Sequence, residues 1–192
     1  SRKIALLPRQ QAVVFTAVPG VQSGSPDTDV LNLIRTDAAS MASKLFQSVR
    51  NQNGLVYYAH FTSQSGFGFD GFMGYCGATT ADGAPELEKI FREEMRRLAQ
   101  HGLTETEFEN ARRMLLFQLE NLRQSPEELL SALTSAEFTG SGWRYVWDRK
   151  TLLEKMTRTA FNRRVKKLFT GKNTVTSVVL PKPDQGKNSH EN

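Results

Sequence analysis

Hydrolytic zinc chemistry needs two or three imidazole or carboxylate ligands brought together, usually from one helix with the spacing of a single turn. The three histidines of this chain, His60, His101 and His190, are expected on a strand, at a helix end and in a polar tail. None has a Glu-His or His-Glu partner beside it, so each reads as a non-ligand, and His101 suits the C-terminal end of a helix dipole. Gly140-Ser141-Gly142 lacks the preceding strand and following helix of a nucleophile elbow. Gly66, Gly68 and Gly71 belong to an expected hairpin, whereas a phosphate loop opens a helix. Cys76 is the single cysteine, which excludes an internal disulfide and a multi-cysteine metal site, and it is expected to be a small buried hydrophobe. Catalysis by this chain alone is not expected.

Arg50 and Tyr57 are the pair with usable chemistry. A guanidinium and a phenol stay protonated near neutral pH and suit a carbonyl oxygen that gains negative charge. Arg50 is expected at a helix end and Tyr57 early in the next strand, joined by a tight turn at Gly54, a spacing that permits the two to face a common opening. The same residues also admit an ordinary structural reading. Arg50 can offset a helix C-terminal dipole, and Tyr57 can be an aromatic core residue beside Leu55 and Ala59.

The elements that position this pair follow from periodicity. Gln11 to Val18 is a short β-branched strand ending at Pro19-Gly20. Ser25-Pro26-Asp27 starts a long helix, whose inward positions Val30, Ile34, Ala38, Met41, Leu45 and Val49 run on to Asn51, with Asn53-Gly54 ending it. From Leu55 the period becomes two, placing Leu55, Tyr57, Ala59 and Phe61 on one face and Val56, Tyr58, His60 and Thr62 on the other. Ser65-Gly66 is expected to turn into a second strand from Phe67 to Cys76, where glycines leave room for close approach.

A helix starting near Pro85 ends at His101-Gly102, and Thr104-Glu105-Thr106-Glu107 is a capping box for the next. Ser125-Pro126 starts a third, Gly140 and Gly142 stop it, a helical segment surrounds Leu152 and Met156, and Thr157 caps the last helix. Asn173 to Leu180 closes as a strand. This order predicts a two-layer α+β domain, with helices packed on one face of a mixed or antiparallel sheet. Residues 1–10 are expected to be a lead-in, 11–181 one folding unit and 182–192 a disordered polar tail, whose last residues suggest a natural C-terminus.

A length of 192 residues and an apolar share of 39% suit one globular core. No apolar run approaches the roughly 18–20 residues of a membrane span, and the first eight residues hold too short an apolar core for a signal peptide, which leaves the compartment open. The net charge of +5 is concentrated near Arg163, Arg164, Lys166 and Lys167. These flank Phe161, Val165, Leu168 and Phe169 at helical spacing without interleaved aromatics, which favours a solvated helix face over a nucleic-acid patch.

The segment Leu45-Phe46-Gln47-Ser48-Val49-Arg50-Asn51-Gln52-Asn53-Gly54-Leu55-Val56-Tyr57 resembles the Leu-Phe-x-x-(Val/Leu)-Arg-x-x-x-Gly-Leu-x-Tyr pattern of the zinc-free C-terminal domain of pitrilysin/insulinase-type peptidases, relatives of mitochondrial processing peptidase. The order of elements agrees over about residues 11 to 181. The resemblance implies a clamshell of two halves closing around an extended peptide. The partner half would carry zinc in an inverted His-x-x-Glu-His motif that this chain lacks, so no cofactor is expected here. It further implies that Arg50 and Tyr57 hold the substrate backbone and steady the oxyanion at the scissile carbonyl. Asn51-Gln52-Asn53 are neutral where the family often has charge, and Tyr58 is larger than usual; these departures touch the turn and a pocket wall and spare the pair.

The implied function is the non-catalytic, substrate-binding half of a zinc-dependent peptidase, partnered by a zinc-bearing half in the same polypeptide or a separate subunit. The alternatives are a non-enzymatic scaffold domain of the same fold and, last, a basic nucleic-acid-binding module. Homodimerisation through the surface that would otherwise face a zinc half is a further expectation, because loss of a partner exposes apolar surface.

Overall fold

The computed structural model describes residues 1–50 and 56–182, apart from the side chain of Arg50. Among them lie five strands and seven helices: β1 Arg2–Leu7, β2 Ala12–Pro19, α1 Thr28–Ala38, α2 Lys44–Arg50, β3 Val56–Gln64, β4 Phe72–Thr79, α3 Ala84–His101, α4 Glu105–Leu122, α5 Pro126–Phe138, α6 Trp143–Lys155, α7 Arg158–Phe169 and β5 Val175–Pro181. The strands form one sheet in the order β1-β5-β2-β4-β3, in which β1 runs parallel to β5 and every other pair is antiparallel. The architecture is α+β with a mixed sheet.

Alternation along β2 turns Val14, Thr16 and Val18 into the core and leaves Val13 and Phe15 only half-buried on the opposite face. Helices α1, α2 and α3 lie on the first of these faces, with α7 packed on α3 and α4 on α1. The centre of the core is an aromatic stack. Phe91 of α3 lies 5.7 Å from Tyr75 of β4 in a stacked arrangement, and Tyr75 meets Phe61 of β3 edge-to-face at 5.3 Å. These contacts add about 0.5–1.5 kcal/mol each to area burial and tie β3 to the helical layer. Gly77 makes the approach feasible, since a Cβ there would sit 2.9 Å from the Phe91 ring and 2.6 Å from the Tyr58 carbonyl.

The expected long helix from Ser25 to Asn51 is two helices. Residues 39–43 are not helical, and Met41, expected inward, is 80% exposed. The serines explain the break. Ser40 Oγ accepts from the Ala42 N–H, while Ser43 Oγ donates to the Ala38 carbonyl and accepts from the Phe46 N–H, so side chains satisfy backbone groups that a continuous helix would pair. Ser43 thereby closes α1 and opens α2.

Other expectations need correction. Residues 2–7, read as part of a lead-in, form β1, whose exposure on both faces left no alternation to read. The Ser65-Gly66 turn is instead a connection over residues 65–71, and the second hairpin strand starts at Phe72 rather than Phe67. Within that connection Gly71 is pressed against Gln64, where a Cβ would fall 1.7 Å from the carbonyl oxygen. The helical segment expected around Leu152 and Met156 is α6, which buries Val146 and Leu153. Cys76 is half-buried on the open sheet face. The helix bounds at Gly102, the Thr104/Glu107 capping box, the Ser125 and Thr157 caps and the apolar stripe of α7 agree with the sequence reading. The expected disordered tail beyond residue 182, the Asn53-Gly54 turn and the strand start at Leu55 lie outside the described residues.

Candidate functional site

Tyr57 owes its position to a bulge. Val56 stands opposite Thr79 and Tyr58 opposite Ala78, adjacent residues of β4, so Tyr57 is the unpaired extra residue between them. Counting back from the buried Phe61 at period two, Ala59 and then Tyr57 would face the helices. The bulge puts Val56 there instead, packed with Ala59 against the core, and leaves Tyr57 58% exposed. The reading of Tyr57 as an aromatic core residue is therefore overturned.

Arg50 is the last residue of α2, and its side chain lies outside the described residues. Its helix is fixed from the other end by Ser43, and by Leu45, which is buried, with Val49 half-buried one turn on. Helix α2 packs on β3 and α3. The two candidate residues therefore sit on neighbouring elements, one closing α2 and the other opening β3.

Behind the joint between α1 and α2 lies a buried ionic group. Asp37, in the last turn of α1, faces the Glu107, Arg97 and Glu94 charges; burial first, then the two glutamates, pushes its carboxyl from 3.8 up to about 7 against the opposing pull of Arg97. Arg97 is the hub, holding Glu94 at 2.7 Å, the Gly102 carbonyl at 3.1 Å and Glu107 at 3.5 Å. A second buried group fastens α6 to α1. Asp29 accepts from the Tyr145 hydroxyl at 2.6 Å and from Arg149 Nε at 2.6 Å, and burial together with this neighbouring carboxylate raises the Tyr145 pKa. Neither group was singled out from sequence, because the partners are more than a hundred residues apart in the second case and carry no motif.

The histidines among the described residues stand apart from one another. His60 is exposed on β3 and stacks on Tyr58 with centroids 5.7 Å apart, His101 is exposed at the end of α3, and His190 lies outside the described residues. Among the described residues no group of three His, Cys, Asp or Glu side chains could hold a metal. Ser141 sits in the connection between α5 and α6, with its hydroxyl 3.4 Å from that of Thr139. No described helix is long and apolar enough to cross a membrane.

Residues 2–115 match the profile of the peptidase M16 inactive domain, and the chain belongs to that family. An uncharacterized zinc protease of Streptomyces coelicolor is 31% identical over 103 residues, 53% of this chain and 22% of the relative. The chain therefore spans well under half the length of that relative. Among solved structures, the peptidase M16 inactive domain from Pseudomonas fluorescens superposes with a TM-score of 0.82 at 17% identity, over 95% of this chain and 44% of the other. The ferredoxin protease FusC, solved as a mutant in complex with Arabidopsis ferredoxin, superposes with a TM-score of 0.72 at 15% identity, over 95% of this chain and 20% of the other.

Proposed function

We propose that this domain is the substrate-binding half of a zinc-dependent peptidase, closing over an extended peptide held by a separate zinc-bearing half and assisting hydrolysis there. The carrying observation is the exposed Tyr57, turned out of a packed strand by a bulge directly after the helix that ends in Arg50. Bulges are over-represented at sheet edges and next to active sites, where they re-aim a side chain or end the pairing. The name zinc protease borne by the Streptomyces relative supports zinc in the other half, and the ferredoxin in the FusC complex supports a polypeptide as the ligand class.

In this reading, the Tyr57 hydroxyl and the Arg50 guanidinium donate hydrogen bonds to the substrate backbone. These bonds strengthen as the scissile carbonyl oxygen becomes an oxyanion. Both groups act in this reading as hydrogen-bond donors, and the attacking water would come from the zinc-bearing half. Adding this chain to a separately expressed zinc-bearing half from a matching relative should restore peptide hydrolysis that neither part shows alone. Full activity of the zinc half by itself, unchanged by this chain, would overturn the proposal.

A scaffold reading draws on a different observation. The sheet face opposite the helices exposes or half-exposes Val13, Phe15, Cys76, Tyr58 and Val175, an apolar surface of the kind that assembly covers. It expects this chain to bind a homologous half or a second copy while hydrolysis stays independent of Arg50 and Tyr57.

A further inference from the structure

A cavity of about 540 Å³ opens between α3, α7, the end of β2 and the turn into β5. Its apolar lining is Val18, Met95, Ala99 and Phe169, all but Ala99 buried. Three cations stand around it, Arg92 and Arg96 from α3 and Lys166 from α7, and no Asp or Glu lines it among the described residues. Arg92 is engaged with the fold. Its Nε donates to Glu88 at 3.0 Å and its Nη2 to the Thr176 hydroxyl at 2.7 Å. The side chains of Arg96 and Lys166 have no ion pair or hydrogen bond among the described residues.

Lys166 by itself would be an ordinary cation in the last turn of a helix. The packing of α7 on α3, however, brings it to a cavity that two arginines already line, and those arginines are a like-charge pair one helical turn apart. Like charges at that spacing are unfavourable until an anion joins them. Past α7 the chain turns at Gly171, whose φ of 70° lies in the left-handed region that favours glycine. That turn leaves Thr170 and Thr174 on the same opening, where their hydroxyls add hydrogen-bonding groups.

We propose that this cavity binds a small organic phosphate, with the phosphate between Arg96 and Lys166 and an apolar body against Val18, Met95 and Phe169. Two cations without carboxylate partners match a phosphate monoester, which carries about −1.5 to −2 at pH 7. A bare ion would leave the apolar lining unused, whereas cavities of about 300–1,000 Å³ hold ligands with a body as well as a head. A nucleic acid needs a charged track along its backbone; here the cations converge on one concavity. The site is separate from Tyr57. Val18 and Ala12 stand at opposite ends of β2, and the Tyr57 bulge lies at the Ala12 end, across Thr79. The inference therefore goes beyond the proposed function and does not rest on it.

Phenyl phosphate is the probe, titrated into this chain by calorimetry beside inorganic phosphate and benzoate. It should bind saturably and at least about fivefold more tightly than inorganic phosphate, which lacks the body, or benzoate, which lacks the second charge. Arg96 and Lys166 are exposed, so alanine at either should keep the parent's melting temperature. Each variant should weaken binding about five- to tenfold through loss of a charge-assisted hydrogen bond. Arg163→Ala removes the same charge from an exposed position of α7 outside the cavity and should leave the affinity within about twofold. Amide resonances of Thr170, Gly171 and Thr174 should shift with the ligand. No saturation below about 10 mM, or equal affinity for inorganic phosphate or benzoate, would overturn the proposal. So would equal losses from Arg163→Ala and Arg96→Ala, the mark of a diffuse basic surface.

Discussion

Phe61 and Tyr57 would share one face of β3 in a strand of regular period two, yet Phe61 is 1% exposed and Tyr57 58% exposed, because the bulge between Val56 and Tyr58 inserts one residue between them. The strand is thus anchored at one point and presents a phenol at another. Substitutions at the two sites should separate. Phe61→Ala removes a ring packed on Tyr75 and should cost about 3–5 kcal/mol in urea unfolding, whereas Tyr57→Phe should leave the unfolding midpoint nearly unchanged. A large loss of stability in Tyr57→Phe would return the residue to a structural role.

Asp37 gives the stability a pH dependence of defined sign. Its folded carboxyl titrates at about 7 and its unfolded one at 3.8, so the folded chain holds one more proton between those values and stability falls as pH rises from about 4 to 7. Glu94 and Glu107 face it and Arg97 opposes them. Asp37→Asn should leave the unfolding free energy unchanged near pH 4 and raise it by about 1–4 kcal/mol at pH 8, the full linkage value being reduced by relaxation around the charge. Unfolding curves for parent and variant across that range check it; a variant less stable than its parent at pH 8 would show that the ionised carboxylate is a favourable partner of Arg97.

Asp29 should behave in the opposite way. Its side chain is 6% exposed beside Arg149 at 19%, and it accepts from both Arg149 and Tyr145. Asp29→Ala leaves a half-buried guanidinium and a half-buried hydroxyl without their acceptor and should cost about 1–3 kcal/mol. Asp29→Ala combined with Arg149→Met should recover part of that loss. Additive costs in this double-mutant cycle would mean that the pair is not coupled.

The capping box offers a smaller, local effect. Thr104 Oγ1 accepts from the Glu107 N–H and Glu107 Oε2 from the Thr104 N–H, at 3.3 Å and 2.8 Å. Thr104→Ala should destabilise by about 1 kcal/mol, with faster amide exchange in the first turn of α4.

Elements whose signals are local were readable from the sequence. The caps at Thr104, Ser125 and Thr157, the glycine at 102 and the stripe Phe161, Val165, Leu168 and Phe169 each depend on residues within one or two turns. The α1/α2 break was missed because Leu45 and Val49 continue the phase of Val30, Ile34 and Ala38, while the competition from Ser40 and Ser43 depends on geometry that spacing does not reveal. Strand β1 was missed because neither face is buried, so nothing imposes alternation on Arg-Lys-Ile-Ala-Leu-Leu. Arg50 and Tyr57 were nameable through the motif, but the exposure of Tyr57 was not: a bulge shifts phase by one residue, and Leu55-Val56-Tyr57-Tyr58 is compatible with either register.

The most direct measurement of the assisting role is kcat for peptide hydrolysis by a zinc-bearing half reconstituted with this chain, compared with folded Tyr57→Phe and Arg50→Ala variants. Loss of transition-state donors should lower kcat by roughly ten- to a thousand-fold for each variant, with smaller changes in KM. Equal kcat for parent and both variants would contradict the assignment and leave the domain a scaffold.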